Sequence, residues 1–317
     1  MHFELRPLAV TDAARLACLA AGEGWANQPA MFRDYLRWNP GGCHVAVADG
    51  ETIGGVTTIV FGAVGWVGNL LVAPEHRGCG VGSALLRHAV ETLERCGVET
   101  VYLEAVPQAQ RLYLRADFTP RQEVLKMERR PKAGDEAGPA TATPGAPGAG
   151  GPGAPGGPVA AGPDAWDAYA GVAAVDRAGW GVDRGIVLGG MYRDRHVLVA
   201  MRGRPGPSRR HEACAGFIMA APARGAVCLG PWGVARHAGV PDVTAGEALL
   251  AAFTAVLTAG FAGQPVVCES PTAGAGPRLL ERWGFLTVRA NLIMGRGPGA
   301  GEDFSLVYAL ASAGDMG

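Results

Sequence analysis

Short runs rich in Val, Ile and Ala lie along 44–48 and 53–61 and are joined by a turn at Asp49-Gly50. Such runs bounded by turn residues mark strands, and Asp-Gly is a favoured two-residue hairpin turn. The stretches 3–6, 67–72 and 98–105 read as further strands. Over 80–95 the pattern changes: Val81, Leu85, Leu86, Ala89, Val90 and Leu93 form the single apolar stripe of a helix, which Gly97 ends. Earlier in the chain, Thr11 caps a helix running through Ala20. A second helix spans 29–38 and carries Met31, Tyr35, Leu36 and Trp38. The resulting order is β-α-α-β-β-β-α-β-α.

The second half repeats this theme more weakly. Strands are expected at 197–200, 215–220 and 226–230, a long helix over 244–259 and a strand over 265–270. Between the halves, residues 131–162 are mostly Pro, Gly and Ala with scattered charges, as in Pro144-Gly145-Ala146-Pro147-Gly148. With so little apolar surface to bury, this stretch is expected to be a disordered tether. The expected domains are therefore 1–130 and 163–317, both of mixed α/β (α+β) class.

Composition narrows the function. The formal net charge of −1 leaves no basic footprint for nucleic acid. No apolar run is long enough to span a bilayer and no signal core or lipidation motif is present, so no membrane partner is expected. The seven cysteines are odd in number and never spaced as CxxC, which fits reduced thiols of a cytoplasmic protein. The seven histidines have no HxxxH or HExxH spacing, and no metal is expected.

Chemistry concentrates in Asn69-Leu70-Leu71-Val72-Ala73-Pro74-Glu75-His76-Arg77-Gly78-Cys79-Gly80-Val81-Gly82-Ser83. A strand here enters a glycine-rich turn that opens a helix. The first backbone N–H groups of that helix have no internal partner, and its dipole favours an anion there. Glycines at 78, 80 and 82 let phosphate oxygens approach, and Arg77 stands at the lip. A Walker loop is excluded by the absence of lysine. A dinucleotide G-x-G-x-x-G is excluded because Ser83 or Leu85 falls at the third glycine.

The remaining pattern, Val72-x-Pro74 followed by Arg77-Gly78-x-Gly80-x-Gly82, resembles the acetyl-CoA motif of the GNAT acyltransferase superfamily. So does Leu112-Tyr113-Leu114-Arg115-Ala116-Asp117-Phe118, which is similar to the family's Leu-Tyr-x-x-x-Gly-Phe with Asp117 in the glycine's place. Asp tolerates a left-handed turn, so the helix can still end there. The resemblance covers the whole first domain. It implies a twisted, mixed, mostly antiparallel sheet flanked by helices. It also implies acetyl-CoA as co-substrate, with the pyrophosphate on Arg77, Gly78, Cys79, Gly80, Val81, Gly82 and Ser83 and the pantetheine arm along Leu70, Leu71 and Val72.

The same resemblance implies acetyl transfer to a primary amine, of a small molecule or a protein, by direct attack in a ternary complex. Tyr113 takes the family position that protonates the leaving thiolate, and a backbone N–H at Leu71 or Val72 would hold the oxyanion. Glu104, in Leu103-Glu104-Ala105-Val106-Pro107, lies where a general base or water relay belongs, and equally where an acid would bind substrate or secure the loop. Glu23, in Glu23-Gly24-Trp25-Ala26-Asn27, falls in the loop where such domains build the acceptor pocket, and Trp25 would wall that pocket or pack on the core. Cys79 admits a covalent reading for which no histidine partner is evident.

The second half resembles the degenerate second domain of tandem bacterial acetyltransferases, through Gly181-Val182-Asp183-Arg184, Gly230-Pro231-Trp232 and Arg278-Leu279-Leu280-Glu281-Arg282-Trp283-Gly284-Phe285. Its counterpart of the cradle, 234–240, lacks Gly-x-Gly, and Leu280 stands at the tyrosine position. It is expected to be a substrate wall, a dimerisation surface or a stabiliser. A homodimer is among the expected partners, and a non-catalytic acyl-CoA-binding or assembly module and a longer acyl donor are the competing expectations.

Overall fold

A computed structural model describes residues 2–131, 158–161, 166–194, 197–202, 214–237, 239–260 and 263–310. In chain order the first elements are β1 (Glu4–Pro7), α1 (Ala13–Gly22), α2 (Pro29–Trp38), β2 (His44–Ala48), β3 (Glu51–Phe61), β4 (Val64–Val72), α3 (Val81–Arg95), β5 (Thr100–Ala105), α4 (Gln110–Leu114) and β6 (Thr119–Arg129). There follow β7 (Pro158–Ala161), α5 (Trp166–Trp180), α6 (Gly185–Asp194), β8 (Val197–Arg202), β9 (Cys214–Ala223) and β10 (Ala226–Val234). The chain continues through the short β11 (Arg236–His237) and β12 (Val240–Pro241), α7 (Val243–Gly260), β13 (Val266–Pro271), α8 (Gly276–Arg282), β14 (Leu286–Arg296) and β15 (Val307–Ala309).

The chain packs as two compact units that no single cut separates. One comprises Met1–Arg121 with Asn291–Ala300; the other comprises Gln122–Ala290 with the segment from Gly301. The first unit has the strand order β1-β2-β3-β4-β5, completed by residues 292–296 of β14 antiparallel to β5. The second has β7-β8-β9-β10-β13, completed by residues 124–129 of β6 antiparallel to β13. In each, one pair is parallel, β4 with β5 and β10 with β13, and every other neighbour is antiparallel.

The core of the first unit gathers the expected stripe of α3 (Val81, Leu85, Leu86, Ala89, Val90, Leu93) against Val56, Val67, Leu103 and Met294. The Asp49-Gly50 hairpin forms with both residues at positive φ, 51° and 81°. Asp117 takes φ 63° and ends α4 as the resemblance requires, its neighbour Phe118 donating its N–H to the Tyr113 carbonyl at 3.1 Å. Gly284 repeats this after α8 at φ 83°, with Phe285 N–H on Leu280 O at 3.0 Å.

Two expectations are corrected, and other elements lie where none was expected. Thr11 does not cap α1: residues 10–12 form a 3-10 turn, and Asp12 accepts from the Ala9 N–H at 2.9 Å. The tether expected over 131–162 contains β7, which pairs with β8; strand pairing is a backbone matter that Pro and Ala at a sheet edge permit. The rest of that stretch, apart from Pro131, lies outside the described residues. Helices α5 and α6 were not legible, because their Ala- and Gly-rich sequences carry no clean stripe.

Candidate active site

The site begins where two parallel strands stop pairing. The β4–β5 register runs from Val64 opposite Thr100 to Val67 opposite Leu103 and ends there, although both strands continue. On its other side β4 stays paired with β3 to Val72, opposite Gly54, and Ala73 N–H donates to Ile53 O at 2.8 Å. Strand alternation therefore turns the backbone groups of Leu71 toward β3 and those of Leu70 and Val72 toward the gap. The Val72 carbonyl on that side accepts from Arg77 Nε at 3.0 Å. A bulge between Gly55 and Thr57 sharpens the divergence, and Asn69 within it adopts φ 47°.

The turn after β4 presents the expected cradle on the surface. Arg77, Gly78, Cys79, Gly80 and Ser83 are exposed, while Gly82 is half-buried and Val81 faces the core. Gly80 is the N-cap of α3 at φ 86°, a conformation that penalises any residue with a Cβ, and no side chain caps the helix. The first N–H groups of a 15-residue helix thus face outward over backbone with nothing near the Gly78 or Gly80 positions. Residues and geometry fit a pyrophosphate. Among the described residues no trio of His, Cys, Asp or Glu is grouped to hold a metal.

Tyr113 lies on α4, buried, its ring edge-on to Phe118 at 6.1 Å and in the cluster that contains Val81 and Leu85. Burial pushes its phenol well above the usual range, so it is protonated at neutral pH. Glu23, just past the end of α1, is ion-paired with Arg77 of the cradle. Trp25 is half-buried beside it. Glu104 is half-buried on β5, and Asn291 Nδ2 donates to its Oε1 at 2.5 Å.

Leu103 and Ala105 face α3 together with Met294, so alternation places Glu104 on the opposite face of the sheet. Val56 also faces α3, and Thr57 therefore lies on the Glu104 face. Asn69 Nδ2 donates to Thr57 Oγ1 at 3.0 Å, and Asn27 Nδ2 donates to Asn69 Oδ1 at 2.9 Å. The reading of the sequence missed Asn291 and the roles of Asn69 and Thr57. An asparagine beside a glycine inside an apolar strand was the available signal for the bulge; nothing local marked Asn291.

The second unit repeats the scaffold with its openings filled. A Cβ on Gly54 would stand 2.6 Å from the Leu71 carbonyl oxygen, and one on Gly216 would stand 2.8 Å from that of Gly233. Gly54 pairs with Val72, and Gly216 with Val234. These matching close approaches align Leu71 with Gly233 and Leu70 with Trp232. Where the first unit leaves a gap beside Leu70 and Val72, the second places β15, paired to β10 at Trp232–Ala309 and Gly233–Val307. Leu310 N–H donates to Glu269 O at 2.7 Å and Ser270 Oγ to Tyr308 O at 2.6 Å, which closes the β13 side as well.

Tyr308 itself is fully buried, edge-on to Trp232 at 5.1 Å. The start of α7 is capped by Asp242, whose Oδ1 accepts from Ala245 N–H at 2.9 Å, so a carboxylate of the chain takes the anion's place. Arg236 is ion-paired with Asp303. Arg184, from the Gly181–Arg184 stretch, is buried against Asp176 at 2.6 Å and 4.2 Å from the centre of the Trp180 ring. In this unit β15 therefore covers the β10 edge that corresponds to Leu70–Val72, and Asp242 caps the start of α7.

Residues 13–118 match the model of the Acetyltransferase (GNAT) family. No curated protein matches the chain. Among solved structures, a proposed acetyltransferase from Pyrococcus horikoshii superposes with a TM-score of 0.72 at 17% identity, covering 99% of this chain and 95% of its own. A GCN5-related N-acetyltransferase from Sphaerobacter thermophilus gives 0.60 at 18%, covering 96% and 98%. A tandem GNAT protein from the clavulanic acid biosynthesis pathway gives 0.61 at 18%, covering 94% and 100%. At such identities these likenesses establish the fold, and the family match, confined to residues 13–118, supports acetyl transfer in general.

Proposed function

Starting from a GNAT-family domain at residues 13–118, we propose that the chain is an N-acetyltransferase whose single active site lies in the first unit. The observation that carries this reading is the open gap beside Leu70 and Val72, which leads into the uncapped start of α3. Acetyl-CoA would place its pantetheine arm along Leu70–Val72 and its pyrophosphate on the N–H groups from Gly78 to Ser83, with Arg77 alongside. The Val72 N–H, turned into the gap, is the oxyanion donor this arrangement supports.

A neutral primary amine, of a small molecule or a protein, attacks the thioester carbonyl carbon. A C–N bond forms and the C–S bond breaks, its electron pair leaving on sulfur. Tyr113, held as a phenol by its burial, donates the proton that converts thiolate to thiol. Glu104, on the opposite face, accepts the proton lost by the amine nitrogen, directly or through water. The products are the acetamide and CoA. All seven cysteines are free thiols, which supports a cytoplasmic setting.

The test is CoA release from acetyl-CoA across a panel of primary amines, followed by chromatography with the full chain. Amine-dependent release is expected. Binding of acetyl-CoA without release for any amine would overturn catalysis and leave an acyl-CoA-binding module.

A further inference from the structure

Asn291 stands 187 positions beyond Glu104 in the sequence, yet the two share one face of one sheet. Residues 292–296 of β14 pair with β5 so that Ile293 lies opposite Glu104 and Leu292 opposite Ala105. Asn291 is therefore the diagonal neighbour of Glu104, within reach of a short polar side chain. It is almost wholly buried, 1% exposed, and its amide donates to Glu104 Oε1 at 2.5 Å. The same β14 segment buries Ile293 and Met294 completely, so the strand that carries the amide is fixed by the core.

We propose that Asn291 is a positioning residue that fixes the Glu104 carboxylate for its work on the acceptor amine. The first unit's acceptor face is then completed by a strand that the chain supplies only after passing through the second unit. This rests on the proposed role of Glu104 as proton acceptor. A buried amide suits the task chemically. It donates to the charged carboxylate, it limits the side chain's rotamers, and it carries no charge that would neutralise the base. An arginine or lysine in its place would hold the carboxylate but weaken it as a base.

The first readout needs no acceptor. In the full chain, the Asn291 side-chain amide signals, identified by their loss in Asn291→Ala, are expected to move as pH titrates Glu104. They should stop moving in Glu104→Gln. The second readout is the pH profile of kcat/KM with the amine that gives most CoA release. Asn291→Ala is expected to lower kcat by about 10-fold, less than the roughly 10²- to 10⁴-fold that losing a general base outright would cost. It should move the acidic limb to higher pH and leave acetyl-CoA affinity unchanged. Asn291→Asp, which faces Glu104 with a like charge, should move the limb further. Asn291→Ala should cost nothing more on top of Glu104→Gln.

A flat pH profile with wild-type kcat in both Asn291 variants overturns the proposal while leaving acetyl transfer intact. So does equal loss of kcat, acetyl-CoA affinity and thermal stability, which marks a structural residue. If Glu104→Gln itself keeps full activity, the assignment of Glu104 fails and that of Asn291 falls with it.

Discussion

Arg77 at the lip of the cradle is ion-paired with Glu23 at the end of α1. The pair ties the loop after α1 to the glycine turn and occupies the guanidinium that a pyrophosphate would use in the proposed seat. Arg77 is half exposed, its side chain at 49%, so the pair is weak and readily exchanged. Removing the competing carboxylate in Glu23→Gln is expected to tighten acetyl-CoA binding by about 2- to 5-fold, the range set by exposed ion pairs. Titration calorimetry at low salt checks this, and weaker binding would mean that Glu23 supports the seat.

Tyr113 separates binding from chemistry. Its phenol packs in the core beside Phe118, and phenylalanine fills nearly the same volume. Tyr113→Phe is expected to lower kcat by about 10²-fold, as for loss of a general acid, with acetyl-CoA affinity and thermal stability close to wild type. Steady-state kinetics beside calorimetry decide it; affinity falling in step with kcat would contradict the assigned role.

Acid sensitivity should come from the first unit. Burial, together with the neighbouring His88 ring at 4.2 Å, holds His44 down at about 4, below its ordinary 6.5. The unfolded chain therefore takes up this proton first, and stability falls as pH drops from 6.5 toward 4. Asp12, bonded to Arg6, the Ala9 N–H and Thr52, is held at about 2, so its contribution is lost between 3.8 and 2. Denaturant midpoints measured across pH are expected to decline in these two stages. His44→Phe should flatten the upper one and leave the lower one in place.

Much of this molecule was legible locally. The stripe of α3, the Asp49-Gly50 hairpin and the glycine turn at 78–82 each follow from residues close in sequence, and the structure forms all three. The left-handed Asp117 was legible for the same reason. What stayed hidden depends on contacts between distant residues. Neither β6 nor β14 was expected as a strand, and no local pattern reveals that 124–129 joins β13 while 292–296 joins β5, because the choice of partner strand lies far away in the sequence. Asn291 was hidden with its strand. The filling of the second unit's gap by Tyr308 and its neighbours likewise needed the fold, although the missing Gly-x-Gly had already pointed away from a cofactor there.

The central claim is one acyl-CoA seat, in the first unit. Isothermal titration of acetyl-CoA into the full chain tests it, beside Gly80→Glu, which sets a carboxylate in the phosphate position. A left-handed glutamate costs about 1–2 kcal/mol, so a melting curve must accompany the variant. One site per chain, abolished in a folded Gly80→Glu, is the predicted result. Two sites, or a site that survives the variant, would contradict it, because β15 and Asp242 would then not be closing the second seat.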